Sequence, residues 1–200
     1  MEMSYSEHDA WNQRYSRGSH HSMEPDPSLV QAFEQYIEPA FPRGGTALDV
    51  AGGVGRHAIW MANRSWKVTL VDISEVGLEQ AKKNAGALAS RIRFVAADLA
   101  IPPARRTHAF SLGRAAYDVV FVLFYLQRSL FPRLVRALKP GGMLIYKTYT
   151  VDQMNLPGGP SHPLHLLKHN ELLRAFKSLR VLYYRETFQE RGLAEFVGQK

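Results

Sequence analysis

The chain has 200 residues, 46% of them hydrophobic, which suffices for one well-buried α/β domain and leaves too little for a cofactor domain plus a separate substrate domain. Its 25 Lys and Arg outnumber 18 Asp and Glu, giving a formal net charge of +7 and a surface that attracts anions without selecting a partner. With no cysteine, disulfides, thiolate catalysis and cysteine-ligated metals are excluded, and nothing argues for an oxidising compartment.

The opening "MEMSYSEHDAWNQRYSRG" lacks the apolar core of a signal peptide, and no later run approaches the ~20 apolar residues of a membrane helix. A cytoplasmic protein without membrane attachment is the expectation. Residues 1–27 read as a polar leader and 28–200 as the folded domain. Leu29, Val30, Phe33, Tyr36 and Ile37 fall at helical spacing over Leu29 to Ala40, with Ser28 as the expected cap. "TALDVA" then predicts a strand, Gly55 to Asn63 a helix, "WKVTLVDI" a strand, "SEVGLEQAKKNAGALA" a helix and "IRFVAADL" a third strand. After the insert at 101–116 come the strand "YDVVFVLFYL", the helix "RSLFPRLVRAL", a stop at "KPGG" and the strand "MLIYKTYT". A loop at 150–166, a helix at Lys168 to Lys177 and the strands "RVLYYRETF" and "GLAEFVGQ" complete the chain. Strands that are apolar nearly throughout and alternate with helices imply a parallel sheet covered on both faces. The expected fold is a Rossmann-like, doubly wound α/β sheet of seven strands, mostly parallel, with one antiparallel strand near the C-terminus.

Chemistry concentrates where the first strand meets its helix. Gly53-Val54-Gly55-Arg56-His57-Ala58 fits G-x-G-x-x-G/A, and Asp72 follows at the distance of about twenty residues expected of a ribose-binding carboxylate. Glycines permit a sharp turn and close ligand approach, and Asp72 ends its strand, where a carboxylate can accept from two ribose hydroxyls. The pattern alone suits any adenosine-type cofactor, NAD included. A dehydrogenase, however, needs further protein to hold its substrate, and this chain has none to spare.

The stretch "ALDVAGGVG" resembles the first motif of class I S-adenosylmethionine-dependent methyltransferases. "VTLVDIS" resembles their ribose-binding second strand, "FVAADLA" the strand ending near the adenine, and "LVRALKPGGMLI" the helix, turn and fifth strand. The likeness spans roughly Leu29 to Gln199. It implies S-adenosyl-L-methionine as cofactor, with Asp49 organising the glycine loop and reaching the methionine ammonium, often through water. Gly53 and Gly55 would let the methionine and ribose lie against the loop. Asp72 would bind the ribose hydroxyls, Ile73 pack on the adenine, Asp98 bond the adenine amino group and Leu99 offer its backbone N–H. Leu123 would line the pocket near the sulfonium. Ala51 stands where the first glycine commonly lies, and Gly52 replaces a frequent cysteine. A narrower likeness lies in "WNQRYS", "GRHAIWMA" and "LFYLQRSLFPRLV", which resemble the tellurite-resistance methyltransferases and related small-molecule enzymes. There Trp11, Arg14 and Tyr15 would belong to a lid, Arg14 contacting the cofactor carboxylate and Tyr15 covering the methyl donor.

The implied partner is a small-molecule acceptor, anionic or soft, bound by a monomer or homodimer. An oxygen or nitrogen acceptor would want a base, for which His57, Tyr125, Tyr149 and the histidines of "SHPLHLLKHN" are candidates, none of them singled out as catalytic. His162, His165 and His169 have metal-like spacing, but Pro163 interrupts any helix and no carboxylate or cysteine matches, so no metal is expected. RNA is the alternative substrate. The arginines of "PARRTH", "LGRAA" and "FPRLVR" lack interleaved aromatics for base stacking, and the fourth strand ends in "VLFYLQ", not in an Asn-Pro-Pro-Tyr tetrad. A non-catalytic module that binds S-adenosylmethionine is the remaining alternative.

Overall fold

The computed structural model describes residues 2–18, 22–100 and 110–200. Most of the insert at 101–116, with the arginines of "PARRTH", lies outside them. Seven strands form one sheet: β1 (Thr46–Val50), β2 (Lys67–Asp72), β3 (Ile92–Ala96), β4 (Tyr117–Leu123), β5 (Leu138–Tyr149), β6 (Arg180–Thr187) and β7 (Leu193–Gln199). Their order is β3-β2-β1-β4-β5-β7-β6, and only β7 runs antiparallel to its neighbours. The expected fold is thereby met.

The inner strands read as apolar nearly throughout because both faces are covered, so successive side chains enter different cores. Val119, Phe121 and Leu123 of β4 face the first core, which they share with Leu29, Phe33, Met61 and Trp66. Val120 and Val122 face the second, with Leu134, Leu172, Phe176 and Phe196. The first face carries α2 (Pro27–Ala32), continued by a π-helical stretch and α3 (Glu38–Ala40), together with α4 (Arg56–Ala62) and α5 (Glu75–Ala85). The second carries α6 (Phe131–Ala137) and α7 (Glu171–Ala175).

Four local expectations change. Residues of the polar leader form a helix, α1 (Glu2–Ser16). The cap of α2 is Asp26, which accepts the Ser28 amide at 2.9 Å, and Pro27 takes the first helical position, where its missing N–H costs nothing. "KPGG" does not precede β5 but bulges within it: Tyr117 pairs with Leu138 and Val119 with Met143, so the extra residues loop out around Gly141. The helix expected from Lys168 starts at Glu171, because Leu167 is bound to the end of β5, its amide donating to Tyr149 O at 2.9 Å.

Candidate active site

The sheet reverses its winding between β1 and β4, and in open α/β sheets the crevice beyond the strand ends at such a switch is where ligands bind. The glycine loop lies there. Ala51, Gly53 and Gly55 all have positive φ, at 56°, 54° and 81°. Each glycine is used differently. A Cβ on Gly52 would fall 2.6 Å from the Asp49 carboxylate, one on Gly55 would meet the Ala81 methyl at 2.9 Å, and Gly53 abuts the Tyr15 hydroxyl. Gly55 therefore lets α4 and α5 pack closely, while Gly53 faces the cleft.

Two carboxylates underlie the loop. Asp72, 5% exposed, accepts the Gly53 amide through Oδ2 and the Ser74 amide through Oδ1, both at 2.8 Å. These bonds consume one lone pair per oxygen. Asp49 is 1% exposed, and its Oδ2 has no hydrogen-bond partner. Burial, reinforced by the charge of Asp72, raises the Asp49 pKa to about 8; burial also raises that of Asp72. Neither carboxylate has an ion-pair partner among the described residues. Two carboxyl groups this deep, whose charged forms burial disfavours, would gain from a cationic ligand that stabilises them ionised.

Helix α1 lies against this cleft. Asn12 Oδ1 accepts from the Ser74 hydroxyl at 2.6 Å, and Gln80 Nε2 donates to Tyr15 O at 3.1 Å. Tyr15 is thereby buried between Gly53 and Gly77, with Trp11 stacked on it at 5.6 Å and the Arg14 guanidinium 4.7 Å from the Trp11 ring. Burial and the charges of Asp72 and Asp49 push the Tyr15 pKa upward, so the ring stays a neutral phenol.

The remaining candidates differ in burial and in the partners they hold. Ile73 is half-buried after β2, Asp98 accepts the Ala100 amide at 2.8 Å, and Leu99 is buried with its carbonyl accepting from Arg133 at 3.4 Å. Leu123 is buried at the end of β4. The aromatic residues after it separate: Phe121 is fully in the core, Tyr125 is half-buried, and Phe124 is exposed with a φ of 61°. Arg128 is committed to a bidentate pair with Glu171, at 2.6 and 2.9 Å, and to the carbonyls of Leu164 and Leu166. It is not a spare cation for an acceptor. His57 is 5% exposed with Nε2 unpartnered, and burial lowers its pKa to about 3. Among the described residues no group of three or more metal-ligating side chains converges, and no helix is long and apolar enough to cross a membrane.

Sequence reasoning missed two sets of residues. Asn12, Ser74 and Gln80 dock the leader, and nothing in their spacing marks them. The other set is a buried ion cluster: Lys147 Nζ lies 2.9 Å from Asp26 Oδ1, 2.9 Å from Ser28 Oγ and 3.2 Å from Glu195 Oε1. A lone lysine inside the apolar run "LIYKTY" was its signal, since a buried charge demands partners.

Residues 47–142 match a family profile described as a methyltransferase domain. No curated protein matches the chain. Among solved structures, the [4+2]-cyclase SpnF is similar over 98% of this chain and 96% of its own, at 16% identity and a TM-score of 0.69. TehB from Haemophilus influenzae is similar over 95% of this chain and 67% of its own, at 16% identity and a TM-score of 0.70. The 1,6-didemethyltoxoflavin-N1-methyltransferase of Burkholderia thailandensis, crystallised with 1,6-didemethyltoxoflavin and S-adenosylhomocysteine, covers 99% of this chain and 87% of its own, at 15% identity and a TM-score of 0.67. These likenesses establish the fold, and the profile spans the glycine loop, both buried aspartates and β4. The chain thus matches a methyltransferase-domain profile over residues 47–142, on a seven-strand α/β sheet shared with these structures.

Proposed function

We propose that the protein transfers the methyl group of S-adenosylmethionine to a small anionic or soft nucleophile, such as a thiolate, a chalcogen oxyanion or a carboxylate. The observation that carries the cofactor reading is the pair Asp49 and Asp72: two buried carboxylates beside a glycine loop, one with an orphaned oxygen, without a cation. A donor bearing an ammonium and a sulfonium fits that deficit. Asp49 would meet the ammonium and Asp72 the ribose hydroxyls with its remaining lone pairs. Ala51, Gly52, Gly53 and Gly55 form the turn beneath the methionine and ribose, Ile73, Asp98 and Leu99 border the adenine, and Leu123 faces the sulfonium. Tyr15 and Arg14, on the docked leader, close the cleft as its lid.

When bound, the donor supplies a methyl carbon that takes the acceptor's lone pair as the carbon–sulfur bond breaks, leaving neutral S-adenosylhomocysteine. Orientation then provides most of the acceleration. The residues near the cleft support an acceptor that needs no base. His57, with a pKa near 3, is a weak base, and burial makes the Tyr125 phenol harder to ionise. Arg14 and Arg56, whose charges reach Tyr15, are the cations that would steer an anion inward.

Incubation with radiolabelled S-adenosylmethionine and separate pools of small metabolites, total RNA and protein tests this reading. Label is expected in the small-molecule pool, at a rate that falls with ionic strength. Label confined to RNA or protein would overturn it.

A further inference from the structure

Phe124 is a bulky residue in left-handed backbone, a conformation that costs a β-carbon-bearing residue roughly 1–2 kcal/mol. Such strain persists only where the surroundings enforce it, and it concentrates at functional sites. Here the enforcement is visible. The Phe124 amide donates to Lys147 O at 2.7 Å, and the Lys147 ammonium lies 5.5 Å from the ring centroid. That ammonium is itself fixed by Asp26, Ser28 and Glu195. The strain turns the ring out of the core, leaving it 38% exposed, 5.6 Å from the Tyr149 ring at a tilt of 47°. The Tyr149 hydroxyl makes no hydrogen bond among the described residues, and Gly159 comes close enough to its ring that an added Cβ would lie 3.1 Å away.

Position gives this pair its meaning. Val50, the last residue before the glycine loop, is in register with Val122, and Leu123 with Lys147. Phe124, just past β4, and Tyr149, the last residue of β5, thus stand at the ends of these strands, across the β1/β4 switch from the strands that carry Asp49 and Asp72. The carboxylates hold the cofactor side of the crevice; the aromatic pair holds the other.

We infer that Phe124 and Tyr149 form the acceptor wall and select a planar aromatic acceptor over an aliphatic one with the same nucleophilic atom, an inference that rests on the small-molecule reading above. A ring offers its face or edge to the exposed Phe124 and Tyr149 rings, whereas a short aliphatic chain leaves them solvated. Phe124 is the specificity-determining residue, and the free Tyr149 hydroxyl is available to a polar substituent.

The test measures kcat/KM for two matched pairs, thiophenol against ethanethiol and benzoate against acetate, in the wild type, Phe124→Gly and Phe124→Leu. The aromatic-to-aliphatic ratio is expected to fall by about fivefold in both variants. Phe124→Gly, which relieves the backbone strain, should melt at or above the wild-type temperature, and Phe124→Leu keeps the β-carbon and bulk while losing the ring. A ratio unchanged in both variants, or no aromatic preference in the wild type, would overturn the inference while leaving the small-molecule reading intact. Absence of turnover on all four compounds, with label appearing only in RNA or protein, would overturn both. A ring that served only packing would show itself as a lower melting temperature for Phe124→Gly with the ratio preserved.

Discussion

The carboxylate of Asp72 accepts the amide of Gly53 at 2.8 Å, so the residue expected to read the ribose also holds the glycine loop in place. With its other oxygen on Ser74, Asp72 staples the end of β2 to the turn after β1 and to the cap of α5. Asp72→Ala should therefore weaken S-adenosylhomocysteine binding by about 2 kcal/mol or more, and also lower stability by ~1–3 kcal/mol, because buried amides lose their acceptor. Asp72→Asn, which keeps one carbonyl acceptor, should recover part of the stability and little of the affinity. Calorimetry beside thermal denaturation separates the two effects. Undiminished affinity in Asp72→Ala would refute the ribose role.

Asp49 gives the site a pH dependence. Its folded pKa, about 8, lies above the unfolded carboxylate value of about 3.9, so the neutral form is the one folding favours. That stabilisation is complete below the unfolded value and is lost as pH rises through about 8. Asp49→Asn keeps the shape and removes the loss. At pH 9 it should be the more stable protein, by on the order of a few kcal/mol, and the difference should shrink toward pH 4. Cofactor binding should move the other way: wild-type affinity rises from pH 6 to 8 as the carboxylate ionises against the ammonium, and the asparagine variant has neither the slope nor the affinity. A flat wild-type profile would remove Asp49 from the ammonium site.

Ala51 holds a φ of 56° at the position where glycine would be free of strain. Ala51→Gly should stabilise the protein by about 0.5–1 kcal/mol, the left-handed cost less the extra freedom glycine has when unfolded. The corresponding rise in melting temperature is about 2–4 °C per kcal/mol. A lower melting temperature would mean that the alanine methyl contributes packing that outweighs the strain.

The legibility of this protein in its sequence followed the physics of each element. β1, β2 and β4 were readable because strands covered on both faces are apolar nearly throughout, and the glycines with Asp72 were readable because the turn needs them. Helix α1 was not. Among its described side chains Tyr15 is the one buried deeply, and its docking depends on Asn12 accepting from Ser74 and Tyr15 accepting from Gln80, partners more than sixty residues away. The strained Phe124 was equally hidden, since a positive φ at a bulky residue is imposed by Lys147 and the strand ends rather than by local preference.

The docked leader makes a kinetic prediction. Deleting residues 1–18 should reduce turnover far more than it lowers the melting temperature, because Tyr15 of α1 is buried against Gly53 of the glycine loop. Trypsin cleavage after Arg14 or Arg17 should slow when S-adenosylhomocysteine is added. A cleavage rate that ignores the ligand would reduce α1 to a structural appendage.

Lys147 supports the largest stability effect. It is the cation for both Asp26 and Glu195, and all three side chains are largely buried. Burial pushes the Asp26 pKa up, but hydrogen bonds and charge from Lys147 outweigh it, so the carboxylate titrates below its ordinary range. The stability it contributes is present above the unfolded value of about 3.9 and disappears as pH falls through the lower folded value. Lys147→Met leaves two carboxylates buried without a cation, which should cost about 3–5 kcal/mol at pH 7. In that variant only the hydrogen bonds from Ser28 still oppose burial, so the Asp26 pKa rises relative to the wild type and less stability is lost to acid on its account. The gap between wild type and variant should thus narrow as pH drops from 7 toward 4. The triple variant Lys147→Met, Asp26→Asn, Glu195→Gln removes every charge in the cluster and should regain most of the loss at pH 7. Denaturant titrations at both pH values decide the matter: a gap that stays constant with pH would show that the lysine acts through its packed methylenes and not through its charge.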